Sequence, residues 1–400
     1  MPAPIAATKD LLARLVAFDT TSHKSNLPLI RFVESYLHRY GVESSLVPTP
    51  DGQKASLFAT IGPSAVGGIA LSGHTDVVPV DGQAWSSDPF TLVERDGKLY
   101  GRGACDMKGY LACVLAMVPE FTARKLATPI HIAFSYDEEV GCTGVRPMVR
   151  ELGKSLPLPR IVLVGEPTGM AVVDAHKGPM RWVVRLTGKA AHSSMPHLGV
   201  NAVTYAGHLL GELARIEAEL KETGLNPRFD PPYTTLQVTQ IAGGTASNIV
   251  PAACWFGWEI RRLPGFDGAA LDARFRRFAE ERCLAPMRQA DADAGASIEI
   301  VNEVPPFQAD ASSGVVPLAL KLARQNETFA VCYATEASLF QAGGAPSVVC
   351  GPGDIAQAHT PDEYLEAAEL EKCLAFLARL ADLVSDPLGG SCKIVARDRV

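Results

Sequence analysis

Four short apolar runs, "ASLFATIG", "GGIALSGHTD", "PIHIAFSYDEE" and "RIVLVGEPT", recur between turn residues in the first 170 positions of the chain. Three of them are nearly continuous in β-branched and large apolar residues, which is the pattern of strands covered on both faces. Helical patterns separate them. "YLACVLAMVPEFTAR" follows Gly109, with Pro119 expected near a kink or the end of that helix. Earlier, Asn26, Pro28 and the apolar positions Ile30, Val33 and Leu37 read as a capped amphipathic helix stopped by Gly41. Strands alternating with helices predict an α/β layered domain around a mostly parallel central sheet.

The character changes near Lys177. "MRWVVRLTG" alternates as a half-exposed strand does, a helical stretch runs from about Val200 to Lys221, and "TTLQVTQIAGG" and "ACWFGWEIRRLPG" read as two further strands. A helix near Ala269–Glu281 and the strand "SIEIVNEV" complete a β-α-β-β-α-β order. That order is the ferredoxin-like split motif, an α+β unit with one open sheet face. From about Pro305 the first character returns, with a helix near Pro317–Arg324, the strand-like "PSVVCGPG" and a closing helix near Glu363–Val384. The expected organisation is therefore residues 1–177 and 305–400 as one domain, with 178–304 inserted into it. The tail after Asp386 reads as peripheral.

Bulk properties exclude several classes. The 400 residues exceed what one core usually holds. A net charge of -7 argues against a nucleic-acid surface. No apolar run reaches the roughly 18 residues of a membrane span, and the N-terminus lacks the basic start and apolar stretch of a secretory signal. The nine cysteines are scattered without a C-x-x-C pair, so neither a disulfide scaffold nor a cysteine-rich zinc site is expected, and a reducing cytoplasm fits. Cys105, beside Asp106, is a candidate nucleophile, but no activating helix end or basic neighbour is in view.

Each buried run ends in acidic or imidazole side chains: His74 and Asp76 in "SGHTDVVP", Asp137, Glu138 and Glu139 in "SYDEEVGCTG", Glu166 in "VGEPTG". Asp106 precedes a helix in "GRGACDMKG", and His359 lies in "GPGDIAQAHTPDEY". Singly these are bland, since a lone His-x-Asp is usually structural and a Glu-Glu pair is usually a solvated loop. Their joint position matters, because ligands bind beyond the carboxyl ends of strands in open α/β sheets. Clustered carboxylates repel unless cations compensate. Two imidazoles and three carboxylates suit zinc, cobalt or manganese. Two divalent ions sharing one carboxylate would use all five and could activate water and polarise a carbonyl. Asp76, two residues from His74 on one strand face, can accept its second ring N–H. Of Glu138 and Glu139, one can bind metal while the other stays free to carry a proton.

Across nearly the whole chain, the blocks "SGHTDVVP", "WSSDPF", "LYGRGACDMKG", "DEEVGCTG", "GEPT", "AHSSMP", "GGTASNIVP", "EIRRLPG" and "AHTPDEY" resemble the dinuclear zinc metallohydrolases, the family of N-acyl amino acid deacylases, desuccinylases and certain carboxypeptidases. The resemblance implies that His74 and Glu166 bind one metal, Glu139 and His359 the other, and that Asp106 bridges them. It implies Asp76 as the residue orienting His74, Glu138 as general base and then acid, and a cis peptide at Asp106–Met107. The inserted domain would be a lid and dimerisation domain, making a homodimer in which His192 reaches the neighbouring site to stabilise the oxyanion. Asn248 and Arg261 would hold substrate, Arg261 by clamping the α-carboxylate.

"AHKG", "ATEASLFQ" and "GPGDIAQAHTPDEY" resemble the branch that deacetylates N2-acetyl-L-ornithine in arginine biosynthesis. On that reading Glu336 would meet the cationic side-chain amine of the substrate, or else support its loop. The alternatives are the same chemistry on N-succinyl-diaminopimelate, another N-acyl amino acid or a dipeptide. A metal-binding scaffold without catalysis is the rival of another class, opposed by the presence of all five ligand candidates and Glu138. Two zinc ions, or cobalt in their place, are the expected cofactors, and the expected partner is a small-molecule substrate, with no nucleic acid and no membrane.

Overall fold

The structure is a computed structural model, and it describes residues 5–63 and 67–385. The tail beyond Asp386 lies outside the described residues. The chain divides into two compact units, one of residues 1–174, 308–329 and 335–400, the other of 175–307 and 330–334.

In the first unit the four apolar runs form the strands Ala55–Ile61, Ile69–His74, Ile130–Ser135 and Ile161–Pro167. Every residue of the last three is buried, so both faces of the sheet are covered. Ile69–His74 lies between Ile130–Ser135 and Ile161–Pro167, parallel to both, and Ser347–Gly351 runs parallel beyond Ile161–Pro167. Ala55–Ile61 and Ser44–Pro48 add antiparallel strands at the other side. The sheet is thus parallel at its centre, and its central strands discharge their carboxyl ends at one edge.

The helix Gly109–Ala123 is apolar on nearly all sides and packs against the helices Ile5–Val16 and Ala367–Ser385. It runs through Pro119 and ends at Ala123. Its approach to the sheet is set by Gly165, where an added Cβ would fall 2.2 Å from the Tyr110 ring.

Two local expectations change. Helix Leu27–His38 starts after Asn26, but the Asn26 side chain does not cap it. Its amide instead donates to the Ala55 carbonyl and the Thr75 hydroxyl and accepts from Ala55 N–H, joining the helix start to the neighbouring strand. The closing helix begins at Ala367, because Tyr364–Glu366 pairs as a strand with Lys98–Tyr100 and Glu363 is drawn into a buried contact described below.

The second unit carries a four-stranded antiparallel sheet in the order Thr235–Gly243, Ala253–Arg262, Gly178–Thr187, Gly295–Glu303. With helices Ala202–Glu222 and Gly268–Ala279 this is the split β-α-β arrangement. Trp182 and Trp258 stack 3.9 Å apart on the helix-covered face, with Phe275 against Trp258. Arg181, Glu259 and Arg261 share the opposite, part-exposed face.

His131, at the start of the Ile130–Ser135 strand, is fully buried, with Nδ1 2.9 Å from the Thr60 hydroxyl. Burial pushes its imidazole down to about 4 from the usual 6.5. The unfolded chain takes up that proton near 6.5, so the stability tied to neutral His131 is complete above that pH and is lost as pH falls toward 4. In urea melts with chelator present, His131→Gln should flatten the loss between these limits by roughly 3 kcal/mol relative to the parent chain.

Candidate metal centre

The sheet brings the predicted ligands together. His74 ends its strand, Glu166 is the penultimate residue of the next, Glu138 and Glu139 follow Ser135, and His359 lies in the segment after Ser347–Gly351. Asp106 precedes the buried helix, and the Asp106–Met107 peptide is cis, as the resemblance implies. His74 Nε2 is 3.0 Å from Asp106 Oδ1 and 3.9 Å from Glu166 Oε1. His359 Nε2 is 3.4 Å from Asp106 Oδ2 and 3.1 Å from Glu139. The Asp106 carboxylate therefore lies between two imidazoles, one oxygen toward each. Ligand atoms of His74, Asp106 and Glu139 all fall within 4.8 Å of one another.

The electrostatics fit cations. Burial, then the Asp106 charge, pushes Glu166 well above the usual carboxylate range. Burial and the neighbouring carboxylates, Glu139 foremost, do the same to Glu138 against the opposing pull of His74. Glu139 rises to about 7 through burial and Asp106. Burial alone would lower His74, but Asp106 and Asp76 hold its imidazole well above its ordinary value. Glu166 Oε1 is buried without a hydrogen-bond partner. Nearby basic side chains are engaged elsewhere: Lys108 donates to the Phe18 carbonyl, Lys54 pairs with Asp137 at 2.6 Å, and Arg102 pairs with Glu363. An orphaned carboxylate oxygen among imidazoles and repelling acids is a donor set that suits divalent metal.

Asp76 does more than was expected of it. His74 Nδ1 lies 3.0 Å from the Asp76 backbone carbonyl and 3.5 Å from its carboxylate, so both acceptors face that ring nitrogen. The carboxylate also accepts from the Ser22 hydroxyl at 2.7 Å and from the backbone N–H groups of Glu138 and Glu139 at 3.1 and 3.3 Å. Sequence spacing pointed to the imidazole but not to the adjoining loop. Glu138 Oε1 accepts from the Cys142 thiol at 3.2 Å.

Glu336 is 1% exposed, and its carboxylate is received by the hydroxyls of Ser135 and Ser72. Burial raises it to about 7. Cys105 is also buried. Desolvation and the Glu363 charge push its thiol up, which removes it as a nucleophile.

In the second unit, His192 is exposed and bridges to Ile249, while Ser193 N–H donates to the Asn248 carbonyl, so the His192 and Asn248 segments are stitched together. Ser194 N–H donates to His192 Nδ1. A backbone N–H only donates, so the neutral ring carries its proton on Nε2. Arg261 Nε donates to Glu259 at 3.0 Å.

Residues 70–383 match Peptidase family M20/M25/M40. The chain belongs to this family. It is similar to an acetylornithine deacetylase of Proteus mirabilis, 34% identical over 96% of this chain and 97% of the relative. Among solved structures it is similar to the aminopeptidase PepT of Bacillus cereus, with a TM-score of 0.75 and 20% identity over 96% of this chain and 100% of that one. It is also similar to a dinuclear metal binding peptidase of the M20 family from Bacillus subtilis, with a TM-score of 0.62 and 15% identity over 95% of this chain and 99% of that one.

Because Glu166 is raised in the metal-free fold, stability contributed by its protonated form is lost as pH climbs above 4.5, where the unfolded carboxyl ionises freely. In chelator, Glu166→Gln should therefore unfold later than the parent chain at pH 8, with the difference closing near pH 4. Added divalent metal should reverse that order. Denaturant titrations with and without metal measure both.

Proposed function

We propose that the chain is a two-metal amidohydrolase that removes the acetyl group from N2-acetyl-L-ornithine, releasing ornithine and acetate. The observation that carries the chemistry is the Asp106 carboxylate placed between His74 and His359. In this reading His74 and Glu166 would hold one ion, Glu139 and His359 the other, and Asp106 would serve both. Zinc is the ion proposed, with cobalt as the substitute the same donors accept. Bound there, such ions polarise the acyl carbonyl and make water acidic near neutral pH.

The chain's own residues do the rest. Glu138 takes the proton of the attacking water and returns it to the departing amine. Its loop is held for that task by the Asp76 carboxylate. His192 donates from Nε2 to the developing oxyanion, a contact of the kind commonly worth a few kcal/mol. It does so from the neighbouring subunit of a homodimer built through the second unit. Arg261 receives the substrate carboxylate, Asn248 supports it, and closure of this unit as a lid excludes water. The burial of Glu336 favours support of the strand ends over contact with the substrate amine.

The choice of acyl amino acid rests on similarity to the Proteus mirabilis protein. Among the described residues no helix is long and apolar enough to cross a membrane, and the described cysteines are free, which suits the cytoplasmic setting proposed.

Metal-reconstituted protein should show its highest kcat/KM on N-acetylornithine in a panel with N-acetylmethionine, N-succinyl-diaminopimelate and a dipeptide. A different leader in that panel reassigns the substrate and leaves the chemistry standing. Glu138→Gln should keep its metal while kcat falls by about 10²–10⁴. Unchanged turnover in that variant would remove Glu138 as the base.

A further inference from the structure

We propose that Gln83, Arg102 and Glu363 form a positioning relay that fixes the spacing between the Asp106 and His359 ligands. The inference rests on the two-metal reading above and assigns residues that reading does not use.

Glu363 is 1% exposed, yet it lies only four residues after His359. Its Oε1 accepts the backbone N–H groups of Cys105 and Asp106 at 2.9 and 3.0 Å. Its Oε2 accepts Gly103 N–H at 3.0 Å and Arg102 Nη1 at 2.7 Å. One carboxylate thus collects three N–H groups of the turn that presents Asp106, and its own backbone carbonyl accepts a fourth from Gly101. Burying a charged Glu is costly unless its lone pairs are answered, and here Arg102 and the turn answer them.

Arg102 carries the constraint onward. Its guanidinium stacks 5.0 Å from the Trp85 ring, donates to the Thr360 carbonyl at 3.3 Å, and donates through Nη2 to Gln83 Oε1. Gln83 Nε2 then donates to the His359 carbonyl at 2.9 Å. His359 has φ of +64°, a left-handed backbone that non-glycine residues seldom adopt, and its side chain is half exposed. A residue with so little packing around its ring depends on what grips its backbone. The grip is Gln83, and through Arg102 and Glu363 it is referred to the turn bearing Asp106.

This arrangement makes the ion between Glu139 and His359 the vulnerable one. His74 and Glu166 sit on buried strands and need no relay. Groups that orient metal ligands are commonly worth about 10–100-fold in affinity.

The test is a metal titration of chelator-stripped protein with zinc against a competing indicator, for the parent chain, Gln83→Leu and Glu363→Gln. The parent chain should take up two ions in resolved steps. Gln83→Leu, changed at a part-exposed position, should weaken one step by about 10–100-fold, leave the other in place, and melt like the parent chain when metal-free. Its kcat should return at high zinc, which a general loss of structure would not allow. Glu363→Gln, which loosens the turn bearing the shared ligand Asp106, should weaken that step further and the other step as well, and if it fails to fold Gln83→Leu carries the test alone. Two unchanged affinities in Gln83→Leu, or equal weakening of both steps with a lower metal-free melting temperature, would overturn the relay. A parent chain that binds one ion or none would instead defeat the two-metal reading on which it stands.

Discussion

Like charges held close in a buried place are the constraint on which the rest of this structure depends. Asp106, the adjacent pair Glu138 and Glu139, and Glu166 arrive from three separate segments at one end of the sheet, and burial raises the three glutamates. Nothing in hydrophobic packing rewards that convergence. It persists because the parallel strands, their covering helices and the Gly165–Tyr110 approach leave the strand ends no other place to go. The fold supplies the confinement, and divalent cations are the partners whose charge matches it.

Most of that confinement was legible in the sequence. Runs such as "RIVLVGEPT" and "PIHIAFSYDEE" declare strands covered on both sides, and the polar residue at each end then has a predictable location. The split motif of the second unit was legible for a related reason. Strict alternation in "MRWVVRLTG" places Trp182 and Val184 on one face and Arg181 and Arg185 on the other, as observed.

What was not legible involves side chains whose partners are backbone groups. Glu363 in "HTPDEY" looks like a solvated loop charge, and only the fold reveals that it gathers N–H groups from a turn some 260 positions earlier. Asn26 sits where a cap belongs, but the Ala55 N–H takes the side-chain oxygen a cap would use, while the Asn26 amide nitrogen donates to a strand carbonyl and a threonine hydroxyl. The misplaced start of the last helix has the same root, since Glu363 cannot both serve the Asp106 turn and begin a helix. Backbone acceptors and donors leave no compositional trace, so these contacts have no signature in one sequence.

The Asp76 carboxylate, gripping the consecutive amides of Glu138 and Glu139, has a consequence for how such a centre tolerates change. Glu138 and Glu139, the proposed proton carrier and the proposed ligand beside it, are mounted on a single bracket, so neither can drift without displacing the other. On the proposed chemistry, versions of the site with metal seated and the base adrift would thereby be scarce. An error in this loop would then cost the centre as a whole, and would not leave behind an intact population with sluggish or misdirected chemistry.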